Sequence, residues 1–170
     1  MPIDVLCNCS YEASSISFDE HRETSTFTFD TELPKGPAVF NILFNGILND
    51  KMAGFYRSSY KDAEGNAKVM GVTQFEATEA RRAFPCWDEP SVKATFSIKL
   101  CVPSELTALS NMPVESITAV EPEEMTYHFE KTPIMSTYVC IFHCSKEYLV
   151  GNTIYYVIAI HTYIFLFGDS

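Results

Sequence analysis

The sequence predicts an all-β fold, and three observations carry that prediction. Apolar and polar residues alternate with a period of two over several short runs. Gly, Pro, Asn and Asp clusters separate those runs at spacings of roughly 8–12 residues. No segment before residue 145 keeps a helical period of 3.6 over three turns. A sandwich or a set of open antiparallel sheets is the architecture expected.

Taken in chain order, the run Thr24 to Asp30 (TSTFTFD) puts Phe27 and Phe29 on one face with Ser25, the pattern of a half-buried strand. Leu33 to Pro37 (LPKGP) reads as a turn, since Pro presets φ and Gly adopts conformations that its neighbours avoid. Ala38 to Asn45 is expected as a second strand that breaks at Gly46, and Met52 to Tyr60 as a third. Asp62 to Asn66 has the composition of a hairpin loop, after which Lys68 to Phe75 returns as a strand. In Val92 to Val102 the alternation predicts Ala94, Phe96, Ile98 and Leu100 along one face. Met125 to Glu130 and Met135 to Phe142 are the remaining strands expected, and Glu121, Glu123 and Glu124 read as a solvated acidic loop.

Composition bounds the function. The chain has 170 residues, 46% of them apolar and 14% aromatic, enough for one domain with a real core and too many for disorder. Its formal net charge is −10 and its Lys and Arg are scattered, which argues against nucleic acid as a partner. Cysteines at 7, 9, 86, 101, 140 and 144 include no C-x-x-C pair, and the four histidines show no zinc-ribbon spacing. Pro2, Asp4 and Asn8 interrupt any apolar core of a leader peptide, so reduced thiols and a cytoplasmic location are expected. The sequon Asn8-Cys9-Ser10 then has no bearing.

The ending differs in character. Thr153 to Phe167 (TIYYVIAIHTYIFLF) is 15 residues of nearly unbroken apolar and aromatic side chains. A membrane span needs about 20 such residues, and β-branched and aromatic types favour strands. A buried strand pair, a membrane segment and a non-native ending all remain open, with the membrane the least favoured.

The densest chemistry lies in Gly71 to Pro90 (GVTQFEATEARRAFPCWDEP). Four carboxylates (Glu76, Glu79, Asp88, Glu89) and two arginines (Arg81, Arg82) are packed between apolar strands. Such a cluster is either a paired structural network or a polar site. Supporting runs are Leu48 to Ser58 (LNDKMAGFYRS), Lys93 to Phe96 (KATF), Ala108 to Met112 (ALSNM) and Thr132 to Tyr138 (TPIMSTY). Together, in this order and spacing, these five runs resemble the N-terminal domain of the puromycin-sensitive-type zinc aminopeptidases, a branch of the gluzincin family. The likeness spans about residues 15–138. Residues 1–142 are therefore assigned to the N-terminal β-domain and 143–170 to a divergent hydrophobic tail.

The resemblance implies a saddle-like β-domain that closes one side of an active site, incomplete here at both ends. It implies a family activity, removal of N-terminal residues from peptides. The family's zinc is held by an H-E-x-x-H helix, whose two histidines share a face and whose Glu acts as general base, and a Gly-x-Met-Glu-Asn loop lies nearby. Neither element occurs in this sequence, and no two histidines stand four residues apart. The chain is thus expected to be a truncated homologue with no catalytic or metal residues and no cofactor of its own, inactive alone. The alternative is an interaction module that binds a full-length aminopeptidase or a peptide.

Two residues are carried over as substrate-binding. Gln74 and Glu76 match the family's pair at the edge of the substrate site, where the carboxylate helps to hold the peptide's α-ammonium. Such a contact at about 4 Å is worth roughly 4 kcal/mol at an effective dielectric near 20, before desolvation. A lone carboxylate open to water would bind weakly. The family also tends to hold the bond after this Glu in the cis form, here Glu76–Ala77. Of the rest, Arg81, Arg82, Asp88 and Glu89 are read as ion pairs that pin the loop. Phe84, Pro85, Cys86 and Trp87 are read as core and turn residues, with no nucleophilic role for Cys86.

Overall fold

The computed structural model describes residues 10–145 and the backbone strand Tyr163–Leu166; the rest of the hydrophobic tail lies outside the described residues. It is built from strands, with two single 3₁₀ turns and no α-helix among the described residues. The strands are β1 (Ser15–Asp19), β2 (Thr24–Thr28), β3 (Gly36–Val39), β4 (Gly54–Lys61), β5 (Ala67–Gln74), β6 (Lys93–Ala94) and β7 (Lys99–Pro103). They continue as β8 (Thr107–Ser110), β9 (Val114–Glu121), β10 (Glu124–Phe129), β11 (Met135–Ser136), β12 (Phe142–Ser145) and β13 (Tyr163–Leu166). The all-β class expected from the sequence is what the structure has.

The chain divides into two compact units, Met1–Ala38 with Tyr163–Ser170, and Val39–Thr162. In the first, β1 and β2 form an antiparallel hairpin whose turn is closed by Asp19, which accepts from the backbone N–H groups of His21 and Arg22, both at 3.0 Å. The pairing of β3 with β13 makes a second two-stranded sheet.

The second unit holds the core. Its main sheet has the order β4-β5-β12-β8, antiparallel throughout, and a second sheet has the order β7-β10-β9. The short pair β11-β6 links the segments around them. Alternation on β4, β5 and β12 sends Phe55, Phe75 and Phe142 to one side, where Phe84 joins them. Phe142 lies 5.7 Å from Phe75, 5.9 Å from Phe84 and 6.4 Å from Phe55, centroid to centroid, in edge-on or tilted contacts that aromatic quadrupoles prefer. Gly71 makes room for this cluster, because a Cβ there would sit 2.7 Å from the Cys144 sulfur and 3.1 Å from the Phe55 ring.

The expected Asp62–Asn66 hairpin loop is present. Asp62 and Asn66 close it through Asp62 N–H to the Asn66 carbonyl at 3.0 Å, with Gly65 at φ +86°. The Asn66 hydrogen bonds and the Lys68 ammonium at 3.3 Å outweigh the effect of burial and hold the Asp62 carboxyl below its ordinary range.

Three strands differ from expectation. The run from Ala38 ends at Val39, and residues 40–47 carry no regular structure, with Leu43 92% and Ile47 88% exposed. Asn41, Asn45 and Gly46 are poor strand formers, so the apolar pattern there had little local support. The run Val92 to Val102 splits into β6 and β7, because Phe96 exchanges main-chain and hydroxyl hydrogen bonds with Thr132 instead of joining a ladder. Its inward face survives the break, with Phe96, Ile98, Leu100 and Val102 all buried. The run Met135 to Phe142 is interrupted by the 3₁₀ turn Thr137–Val139, which directs the Thr137 hydroxyl onto Asp88. Strands β1, β8 and β9 were not foreseen.

Candidate functional site

Gln74 closes β5, where it pairs with Gly54, and Glu76 follows two residues later. Both side chains are exposed, while Phe75 between them is 2% exposed and packs 5.8 Å from Phe84 and 5.7 Å from Phe142. The alternation at and just past the strand's end thus leaves the two polar groups exposed while the phenylalanine between them is buried. Neither side chain makes a hydrogen bond or ion pair with another described residue. The Glu76–Ala77 bond is cis, as the resemblance had led us to expect. The same open face continues across the sheet in one register row of Tyr56, Val72, His143 and Leu109.

The segment after Glu76 is fixed by main-chain and side-chain ties. Glu79 N–H donates to the Phe75 carbonyl at 3.0 Å, and the 3₁₀ turn Ala80–Arg82 follows. Asp88 is buried. Its Oδ2 accepts from the Arg81 backbone N–H at 3.0 Å and from Arg81 Nε at 3.3 Å, and its Oδ1 accepts from the Thr137 hydroxyl at 2.8 Å. Arg81 Nη2 also donates to the Asp88 carbonyl at 3.1 Å. Just before Gln74, the Thr73 hydroxyl oxygen accepts from Phe142 N–H at 3.1 Å and reaches the Cys140 carbonyl at 3.5 Å.

The ion-pair network is present in altered form. Arg81 pairs with Asp88, whereas Arg82 pairs with Glu79, three residues back, and Glu89 is exposed with no ion pair among the described residues. Phe84 is core and Cys86 packs against it, but Trp87 is 52% exposed and is not a core residue. Its neighbour Asp88 takes the inward position instead. Burial, reinforced by the Asp88 carboxylate, pushes the Cys86 and Cys140 thiols up to about 12, and burial takes Cys144 to about 11. Thiols held neutral in this way are poor nucleophiles, so the reading of Cys86 as inert stands on a physical cause.

Two of the other runs singled out in the sequence are held by side chains of small polar residues. Asn49 donates through Nδ2 to the Ala53 and Phe55 carbonyls at 3.0 and 3.3 Å and accepts from Lys51 N–H at 2.6 Å. That loop also carries the two-pronged Arg57–Asp50 pair, whose guanidinium hydrogen bonds hold the Asp50 carboxyl below its usual range. Gly54, at φ +71°, leaves no room for a side chain, since a Cβ would lie 2.8 Å from that of Arg82. Asn111 bridges the Val139 carbonyl and the Ile141 N–H, both at 2.8 Å. The long-range partners, Asn111 with Val139 and Thr73 with Phe142, were invisible beforehand because they lie 28 and 69 positions apart.

No group of three or more His, Cys, Asp or Glu side chains among the described residues is arranged to hold a metal ion. His128 pairs with Thr118 at 3.0 Å and His143 with Ser145 at 3.1 Å, on different strands. Among the described residues these side chains do not come together as a zinc site. No helix among the described residues is long and apolar enough to cross a membrane.

An all-β domain with a polar pair at the end of a sheet, anchored by a phenylalanine and pinned by a buried Asp, is the class that fold and site define. Residues 7–139 match the family described as the Peptidase M1 N-terminal domain, and the chain belongs to that family. It is 54% identical over 141 residues to "Aminopeptidase M1-C" of Oryza sativa subsp. japonica, an alignment covering 82% of this chain and 16% of that protein. It is 49% identical to "Aminopeptidase M1" of Arabidopsis thaliana over 127 residues, 75% of this chain and 14% of the relative. The "Alanine/arginine aminopeptidase" of Saccharomyces cerevisiae is 48% identical over 134 residues, 76% and 16% of the respective chains. The chain thus spans about a sixth of the length of these relatives.

Proposed function

We propose that this chain is the substrate-side part of an aminopeptidase site, in which Gln74 and Glu76 face the free N-terminus of a peptide. The observation that supports it is the pair's exposure on the open sheet face, with Phe75 locked beneath. A carboxylate with no ion pair or hydrogen bond among the described residues is available for a charge-assisted hydrogen bond to an α-ammonium. In the full-length family enzyme zinc supplies the hydrolytic chemistry; this chain, whose described residues bring no zinc donor set together, binds a peptide end weakly and does not cleave it. The unpaired Cys86, Cys101, Cys140 and Cys144 suit a reducing, cytoplasmic setting.

The test is an NMR titration of the whole chain with tetra-alanine bearing either a free or an acetylated N-terminus. The free peptide should shift the Gln74 and Glu76 amides, the acetylated one should not, and Glu76→Gln should abolish the difference. Equal responses to both peptides would reject the assignment. An aminoacyl-chromogenic substrate with added zinc should give no turnover above buffer, and chelator-sensitive turnover would overturn the inactive reading.

A second reading, a module that binds a full-length aminopeptidase, is favoured by the apolar side chains of Val39, Leu43 and Ile47, exposed by 52, 92 and 88%. Groups of that kind commonly mark interaction surfaces. Retention of an intact M1 aminopeptidase on the immobilised chain at micromolar concentration would support it, and no retention would count against it.

A further inference from the structure

We propose that Asp88 and Thr137 act together as positioning residues for the Gln74–Glu76 edge, an inference that rests on the reading of that edge as substrate-facing. Asp88 is 4% exposed and Thr137 5%, so both are deep in the protein, and neither side chain faces the open side of the sheet. Three donors converge on the one carboxylate, two from Arg81 and one from the Thr137 hydroxyl. Arg81 ends the segment that starts at Glu76, five residues earlier in the chain. On the other side, Thr73 is tied to Cys140 and Phe142, which follow Thr137 in the chain.

The edge is therefore spanned between two anchor points, Thr73 before it and Arg81 after it. Both anchors are fastened to one short stretch, Thr137 to Phe142. Within that stretch Cys140 N–H donates to the Thr137 carbonyl at 3.0 Å, which makes it a single compact turn. Ser136, adjacent to Thr137, adds a 2.6 Å bond to the Pro90 carbonyl and holds the Asp88 loop from its far end. Phe75 alone could set the depth of the edge but not the course of the chain after Glu76. That course is set where Asp88 receives Arg81, and the Thr137 hydroxyl orients Asp88 by occupying its other oxygen. A buried carboxylate with both oxygens engaged by hydrogen bonds is rigid, which suits a group that must hold another group in place.

The test compares Thr137→Val, which keeps shape and removes the hydroxyl, with Thr137→Ser, which keeps the hydroxyl. Amide hydrogen exchange is read at Glu79, whose N–H closes the turn after Glu76, against the β9–β10 ladder as an internal reference. Thr137→Val should speed Glu79 exchange at least about tenfold while the ladder amides stay as in the wild type, since local opening and global unfolding are separable by this means. The same variant should weaken the response of Glu76 to free tetra-alanine about fivefold, the lower end of couplings carried through such networks. Thr137→Ser should restore both. Unchanged Glu79 exchange in Thr137→Val, or acceleration equal to that of the ladder, overturns the inference. If wild-type protein does not distinguish free from acetylated peptide, the substrate-facing reading fails, and the exchange comparison still decides the positioning role.

Discussion

The four-stranded sheet and strand β9 are built from similar residue types, yet they are held in opposite ways. The sheet β4-β5-β12-β8 turns one face onto four phenylalanines and is laced at its ends by Thr73, Ser110 and Asn111. All eight residues of β9 are exposed, and it is held to β10 by a main-chain ladder with bulges near both ends and a side-chain hydrogen bond of Thr118 with His128. The difference teaches where the fold's free energy is concentrated. Apolar burial and long-range polar ties coincide in the sheet that ends in Gln74, and both are nearly absent from β9. The edge that carries Gln74 and Glu76 thus lies on the side of the protein where packing and polar ties are densest.

The largest break in this contrast comes from Phe142, which touches three other rings of the cluster. Phe142→Ala removes a fully buried aromatic and should cost about 3–5 kcal/mol of unfolding free energy. Urea denaturation of the variant and the wild type measures it directly. A loss below about 1 kcal/mol, the size expected of an ordinary substitution, would mean that the cluster does not dominate the sheet.

Gly71 tests packing from the other direction. A methyl group there meets the Cys144 sulfur at 2.7 Å and the Phe55 ring at 3.1 Å, so Gly71→Ala should destabilise by about 1–3 kcal/mol through overpacking. The companion variant Gly71→Ala/Cys144→Ala relieves the closest clash and should recover part of the loss in the same denaturation experiment.

How much of this was legible beforehand follows from the same contrast. Of the face read from alternation, Phe96, Ile98 and Leu100 are buried and Ala94 only half-buried, even though the strand itself is broken at Thr132's hydrogen bonds. Strand β9 could not, because with all eight residues exposed its apolar side chains have no buried face to report. The cis bond after Glu76 was legible through likeness to a family. The ties that hold the segment around it were not. Nothing local ties Thr137 to Asp88 or Asn111 to Val139, and which of Phe84, Pro85, Cys86 and Trp87 would be core and which turn was not legible, because an apolar side chain carries no label for the side of the loop it will take.

A smaller effect is expected from His143, at the centre of the open face between Val72 and Leu109. Burial lowers its pKa from the ordinary 6.5. The unfolded chain then binds the proton more readily than the native one, so stability is full above the unfolded value and falls as pH drops through the lowered one. Urea midpoints measured between about pH 8 and pH 5 should decline below about 6.5, and His143→Gln should flatten that part of the curve. A decline identical in the variant would assign it to other groups.

The smallest effect belongs to β9, and its smallness is what gives it value. Ile117 is 48% exposed and faces Tyr127 across the ladder, while Tyr127 itself is fixed by its hydroxyl on the Leu106 carbonyl at 3.2 Å. Ile117→Thr keeps a β-branched residue and the main-chain hydrogen bonds, and exchanges only part of an already wet surface. Its cost should stay within about 0.5 kcal/mol in the same urea series. A loss as large as that of Gly71→Ala would show that β9 carries packing energy its exposure conceals, and the division between the two sheets would have to be redrawn.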